Sequence, residues 1–232
     1  MTYGSRIGIL GGTFDPVHMG HVETAVAAQR ALDLDTVLLM PSGTPPHRQQ
    51  QPNVSRFHRF AMTALAVNGL AHLAVSDLEI GETGPSYTFD TLTRLQASGL
   101  KGSQIFFITG ADAFAEIESW SRYPDVLDMA HFVVVSRPGH PAPRVADAVP
   151  SLAHRLRPGA RDGSSAVASA RQLDIYVVDA PTPDISSTDV RRRLTAGESI
   201  EGLVPEAVRI YIAQHGLYSR AQGNPQPGRP LA

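Results

Sequence analysis

The sequence predicts an α/β fold of the doubly wound kind, a mostly parallel sheet with helices on both faces. Short apolar runs of strand type at residues 7–10, 36–40, 105–109, 132–136 and 173–178 are separated by stretches whose apolar residues recur at helical spacing. The first run leads through Gly11-Gly12 into a helical stretch reaching about Leu32 and then into the second run, a βαβ unit whose parallel strands a right-handed crossover would join. With 232 residues, 42% of them hydrophobic, the chain is long enough for one core and short for two, so residues 1–218 read as a single domain.

The first strand and its glycine turn set the chemistry. Gly11 and Gly12 let the backbone approach a bound group closely, and the helix behind them offers unpaired amide N–H groups and a positive dipole end, which together favour a phosphate. His18 and His21, three apart, share one face at that helix start, and Gly20 between them leaves room for a ligand. Read singly, the parts are ordinary: a glycine pair can be a tight turn, and two histidines can be metal ligands.

Asp33-Leu34-Asp35 turns the chain into the second strand, which leaves at the ligand edge through Pro41-Ser42-Gly43-Thr44-Pro45-Pro46-His47-Arg48, a proline-stiffened loop ending in two side chains that can carry positive charge. From Ser55 to Leu70, Phe57, Phe60, Ala61, Ala64, Leu65 and Val67 recur near helical spacing, so Phe57 and Phe60 are expected in the core, and residues 73–76 form a short strand. Pro85-Ser86-Tyr87-Thr88 opens a helix, where a hydroxyl ordinarily caps. Residues 105–109 are the clearest central strand, and Gly110-Ala111-Asp112 ends it at the ligand edge, where Asp112 could accept hydrogen bonds from a ribose. Trp120 sits in a polar setting, free to stack on an aromatic ring or to cover the core. The next strand delivers Arg137 to the same edge.

From 140 to 172 Pro, Ala, Ser, Arg and Gly dominate and periodicity is poor outside 149–156, so an irregular excursion is expected before residues 173–178 restore the sheet. Ser186, Ser187 and Thr188 then open a helix with Arg191 one turn on and Gly197 as its stop, and a closing helix spans 205–214. Residues 219–232, rich in Arg, Pro, Gly and Gln, are expected to be disordered.

A formal net charge of −2 gives no basic field for nucleic acid, and no apolar run reaches the eighteen residues that would suggest a membrane span. The first residues enter a strand at once without a signal-peptide pattern, so a cytoplasmic protein is expected. With no cysteine, disulfides, thiol catalysis and thiolate metal ligands are excluded.

The string G-G-T-F-D-P-V-H-M-G-H at 11–21 resembles the signature of the nucleotidylyltransferase superfamily, in which the H-x-G-H element holds nucleoside triphosphate phosphates. P-S-G-T-P-P-H-R, S-Y-T-F-D-T-L, I-T-G-A-D, Trp120, V-S-R-P-G and I-S-S-T-D-V-R follow in the order expected of a bacterial nicotinate-mononucleotide adenylyltransferase, over roughly Arg6 to Tyr218. The resemblance implies transfer of AMP from ATP to nicotinic acid mononucleotide, giving deamido-NAD and pyrophosphate in NAD biosynthesis, with Mg²⁺ carried by the ATP phosphates and no metal ligand from protein side chains. It implies catalytic roles for His18, His21 and Arg191, and ATP contacts from Gly11, Gly12, Thr13, Phe14, Gly110, Asp112, Arg137, Ser186 and Ser187. Asp15, His47, Arg48, Thr88 and Trp120 would hold the mononucleotide. Ser121 and Arg48 depart from the family, where many members carry tyrosine and lysine.

Partners would therefore be ATP and nicotinic acid mononucleotide, with neither nucleic acid nor membrane, and a homo-oligomer stays open. The alternatives are a sister transferase acting on pantetheine phosphate, FMN or a choline-type phosphate, a metal-dependent phosphodiesterase liganded by His18 and His21, and a non-catalytic nucleotide-binding module.

Overall fold

The structure, a computed structural model, describes residues 5–45, 52–159 and 173–219. Its centre is a seven-stranded sheet in the order β3-β2-β1-β4-β5-β7-β6, with β1 Ile7–Gly12, β2 Thr36–Pro41, β3 Leu73–Val75, β4 Ile105–Gly110, β5 His131–Val135, β6 Leu156–Pro158 and β7 Ile175–Val178. Every pairing is parallel. The helices are α1 Met19–Leu32, α2 Arg56–Val67, α3 Thr88–Ala97, α4 Ala111–Phe114, α5 Val145–Ala148, α6 Ser187–Ala196 and α7 Glu206–Gln214. None of them is long and apolar enough to cross a membrane.

Because strand side chains alternate between faces and helices cover both, the continuous apolar runs split into two cores. Leu10, Val37, Leu39, Phe106, Ile108, Val133 and Val135 pack with α1, α2, α6 and α7. Ile7, Ile9, Leu38, Met40, Ile105, Phe107, Phe132 and Val134 pack on the other face with α3 and α4. The chain winds outward from β1 to β3, then returns to add β4 on the other flank of β1. That reversal opens a crevice beyond the carboxyl ends of β1 and β4, where open α/β sheets bind ligands.

Two expectations are corrected here. Phe57 is 69% exposed, and α2 instead buries Arg59, Met62, Thr63, Ala66 and Val67. The apolar residues of that stretch mark a stripe beside the one that faces inward, because a buried guanidinium takes a place the apolar count gives to phenylalanine. The second concerns 140–172, in which the described residues 140–159 hold regular elements: α5 and flanking 3₁₀ turns lead into β6, which pairs with β7. Val145, Val149 and Leu152 reach the core from within the Pro- and Arg-rich composition. Arg155, buried, donates to the carbonyls of Leu127 and Leu173 and to Asp128. Residues 160–172 and 220–232 lie outside the described residues.

Candidate active site

β1 ends at Gly12, and a Cβ there would stand 2.8 Å from the Phe14 ring. Glycine thus lets Phe14, itself at φ +50, fold back beneath the loop. The Phe14 edge meets the His21 ring at a centroid distance of 4.9 Å, and His21 stacks on His18 at 3.7 Å with planes 26° apart. His18 is the N-cap residue of α1, in extended conformation, so the pair straddles the helix start rather than sharing its surface. The His18 backbone N–H donates to His21 Nδ1 at 3.3 Å, which leaves the neutral His21 proton on Nε2.

Both imidazoles are held neutral. Burial, with the charge of Arg137, lowers His18 to about 3. Burial, then His18, then Arg137, hold His21 well below the ordinary histidine value. His18 Nδ1 is buried with no partner among the described residues. A Cβ on Gly20 would lie 3.0 Å from that nitrogen, so the glycine is what keeps the approach to it open.

Arg137 leaves β5 on a turn closed by reciprocal backbone bonds with His140. Its stem packs 3.1 Å from where a Gly110 Cβ would be, and such a Cβ would collide with the Asp112 carboxylate. Gly110, Asp112 and Arg137 thus meet at the end of β4, facing the histidines whose charge Arg137 disfavours. From the opposite side comes α6. Ser186 caps it by accepting from the Asp189 N–H, and Ser187 donates to the Pro16 carbonyl at 2.9 Å. Arg191 donates to the Asp15 carbonyl at 2.6 Å and to Thr188 Oγ1 at 3.2 Å.

Next to this cluster a cavity of about 450 Å³ is lined by Gly11, Gly12 and Thr13 from β1 and its loop, Ser42 after β2, Thr88 and Thr91 of α3, Thr109 of β4, and Trp120. Trp120 is braced edge-on by Phe107 at 6.0 Å. Among the described residues no side chain caps the start of α3, whose N-cap residue is Tyr87, and the neighbouring Ser86 Oγ accepts from the Gly43 N–H. The amides at that start are therefore left for a ligand. His47 and Arg48 lie outside the described residues.

The Asp15 carboxylate is taken up inside the protein. The residue is 0% exposed, and its carboxylate accepts from Tyr218 Oη and from the backbone and side chain of Asn53. Four residues near the site were not singled out by sequence. Arg59, buried, joins the loops by donating to the carbonyls of Thr13 and Gly43. Glu79 lines the cavity and accepts from Thr91 Oγ1. Ser42 Oγ is buried at the cavity with no partner among the described residues. Burial and the Asp15 carboxylate push the Tyr218 hydroxyl far up. Only the last had a sequence signal, an aromatic residue immediately before the polar tail.

The family model described as cytidylyltransferase-like matches residues 9–193. A Desulfatibacillum aliphaticivorans protein named probable nicotinate-nucleotide adenylyltransferase is 40% identical over 221 residues, covering 92% of this chain and 99% of its own. A Pseudomonas fluorescens protein of the same name is 40% identical, covering 93% and 98%. Among solved structures, Plasmodium falciparum nicotinic acid mononucleotide adenylyltransferase complexed with NaAD superposes with a TM-score of 0.67 at 17% identity, covering 93% of this chain and 98% of that one. The same enzyme complexed with APC gives 0.65 at 16% identity, over the same shares. At these identities the structural likeness speaks to the fold.

Proposed function

The chain belongs to the nicotinate-nucleotide adenylyltransferase branch of the cytidylyltransferase-like family, and from that premise we propose that it transfers the adenylyl group of ATP to nicotinic acid mononucleotide, releasing pyrophosphate and forming deamido-NAD in NAD biosynthesis. The observation that carries this is a juxtaposition. A neutral, stacked histidine pair at the start of α1 sits beside a cavity walled by a tryptophan and the uncapped start of a second helix. One half suits phosphates; the other suits a flat ring bearing a carboxylate.

In such a transfer the acceptor phosphate attacks the α-phosphorus in line with departing pyrophosphate, so the protein must orient two anions and offset their charge rather than supply a nucleophile. His21 offers Nε2–H as a neutral donor fixed at the helix start, and a fixed donor needs no reorganisation as charge moves towards the leaving group. His18 presents Nδ1, unpartnered among the described residues, beside Gly20, and Arg137 supplies positive charge across from the pair. Arg191, one turn into α6, is held against the Asp15 carbonyl and lies ready to follow the phosphates. Gly110 and Asp112 take the adenosine side, and Thr88 and Trp120 the pyridine side, with Gly11, Gly12, Thr13 and Phe14 shaping the loop between them. Ser186 and Ser187 act through the backbone they fix at the start of α6.

Magnesium accompanies ATP in this scheme. Among the described residues no group of three His, Asp or Glu side chains could hold a metal ion, and one nitrogen of His21 is already engaged by the His18 N–H. That donor set fits a metal carried on the triphosphate, where it would offset phosphate charge, and among the described residues it offers no third ligand of the kind a histidine-liganded phosphodiesterase would need. The setting is cytoplasmic, with small-molecule substrates and no nucleic acid.

Incubating the purified protein with ATP, Mg²⁺ and a panel of acceptors, and following pyrophosphate with the adenylylated product, tests the assignment. Nicotinic acid mononucleotide should be the fastest acceptor. Faster turnover of pantetheine phosphate or FMN, or pyrophosphate formation with no acceptor at all, would overturn it.

A further inference from the structure

Tyr218 holds a left-handed backbone conformation, φ +62, that non-glycine residues seldom adopt. Its neighbours fix it there: the Leu217 N–H donates to the Ile212 carbonyl as α7 ends, and Thr195 Oγ1 on α6 donates to the Tyr218 carbonyl at 3.3 Å. The conformation turns the side chain inward, to 7% exposure, and its hydroxyl donates to Asp15 Oδ1 at 2.8 Å across 203 residues of sequence.

Asp15 is a junction. Its other carboxylate oxygen accepts from the Asn53 backbone and side chain, at 2.9 and 3.0 Å, where the chain returns from the loop after β2. Its carbonyl accepts from Arg191. Three residues on, the same loop delivers His18 to the start of α1. The loop bearing the histidines, the loop on the mononucleotide side and the arginine of α6 are therefore all tied to one buried residue.

We infer that Tyr218 is a positioning residue for the adenylyl transfer: through Asp15, the carboxyl-terminal end of the fold sets the placement of His18, His21 and Arg191. Tyr218 touches neither substrate nor reacting atoms. Its hydroxyl fixes the rotamer of the Asp15 carboxylate, and that rotamer fixes the backbone between Gly12 and His18. Strained backbone at a position clamped by several partners is a known accompaniment of preorganised sites. The role rests on the proposed reaction, but its first readout does not.

The test compares Tyr218→Phe with Tyr211→Phe, which removes a hydroxyl from α7, the helix just before Tyr218 in the chain, bonded to His58 rather than to Asp15. In the substrate-free protein, the imidazole ¹⁵N resonances of His18 and His21 should move in Tyr218→Phe and stay in place in Tyr211→Phe. In the transfer assay, kcat of Tyr218→Phe should fall by about 10- to 100-fold with both KM values within about threefold, the pattern of a misplaced constellation rather than lost binding. Unmoved histidine resonances, or a kcat within twofold of wild type, would overturn the inference. So would a loss that Tyr211→Phe matches at equal melting temperature. If wild type transfers nothing to the mononucleotide, the functional assignment fails while the resonance comparison still decides the positioning role. Should Tyr218→Phe not fold, Asn53→Ala removes the side-chain half of the second tether from an exposed position and leaves the backbone N–H bond; it should shift the same resonances and lower kcat by about tenfold. Unchanged values there would equally overturn the inference.

Discussion

The rings of His18 and His21 stack at 3.7 Å while the His18 N–H donates to His21 Nδ1. Two protonated imidazoles at that distance would repel, and a protonated His21 would lose its acceptor. The geometry therefore requires a neutral His21, burial favours the neutral form of both rings, and this helix start becomes a source of directed dipoles rather than of charge.

Removing one of these donors should cost rate and leave the fold intact. His21→Ala and Arg191→Ala are each expected to lower kcat for adenylyl transfer by about two to three orders of magnitude, the range for losing a preorganised donor. Pyrophosphate release, measured beside a thermal melt, checks this. Near-normal turnover in His21→Ala would remove the histidine pair from the reaction.

Acid should destabilise the protein before its carboxylates titrate. His18 at about 3, and His21 and His131 shifted downward chiefly by burial, bind fewer protons folded than unfolded once the pH falls below about 6.5. Their neutral forms add nothing to the pH dependence above that value. Below it, each removes up to about 1.4 kcal/mol of stability per pH unit until its folded-state value is reached. Urea melts from pH 7.5 to 5 should show this slope. His18→Gln/His21→Gln should flatten it, and an undiminished slope in that variant would contradict the assignment.

Gly20→Ala should separate stability from activity. The new Cβ would sit 3.0 Å from His18 Nδ1 and 3.5 Å from the Ile185 carbonyl, so the ring must give by a few tenths of an ångström. Alanine is the better helix former by about 1 kcal/mol, which offsets the crowding. We expect an unchanged or higher melting temperature with kcat reduced about tenfold or more. Full activity would show that the space beside His18 is not used.

At the other ends of the strands, Arg155 should matter only for stability. It is buried and serves the carbonyls of Leu127 and Leu173, which truncation would leave unpaired. Arg155→Ala is expected to cost about 3 kcal/mol in urea unfolding and to leave kcat at temperatures below its melt unchanged. A stability loss under about 0.5 kcal/mol would mean that water replaces the guanidinium.

The strands were legible in sequence because the sheet is covered on both faces, which makes 36–40, 105–109 and 132–136 continuous apolar runs. The glycine loop was legible because close approach at Gly12 and Gly20 leaves a residue type that can be read directly. What escaped depended on long-range pairing. Arg59 looks like a surface cation of a helix until the carbonyls of Thr13 and Gly43 are seen to meet it. That the Asp15 carboxylate is met by Tyr218 and Asn53, 203 and 38 residues away, is likewise visible only in the fold. The 140–159 segment hid its four core residues, Ala142, Val145, Val149 and Leu152, in a composition that signals a loop, because their spacing is spread over short helical turns rather than one helix.

The preferred acceptor should be nicotinic acid mononucleotide rather than its amide, and two features of the cavity pull in opposite directions. Among the described residues the start of α3 lacks a side-chain cap, and Thr88 and Trp120 share the cavity with it, so a ring lying on the indole can point its substituent at the amide donors there. A carboxylate accepts there with both oxygens, whereas an amide turned to match must present one N–H to another. Glu79, also in the cavity wall, could instead accept from the amide. The Thr91 hydroxyl already donates to one of its oxygens, which weakens that alternative. A buried donor left unpaired costs about 1–3 kcal/mol, so two of them favour the acid by roughly a hundredfold in kcat/KM. Glu79→Gln removes the competing anion and should widen the preference rather than narrow it. Specificity constants for both mononucleotides, in wild type and in Glu79→Gln, decide the matter. Equal values in wild type would mean that the α3 amides do not read the substituent. A narrower preference in the variant would give Glu79 a role in holding the acid that its bond to Thr91 does not suggest.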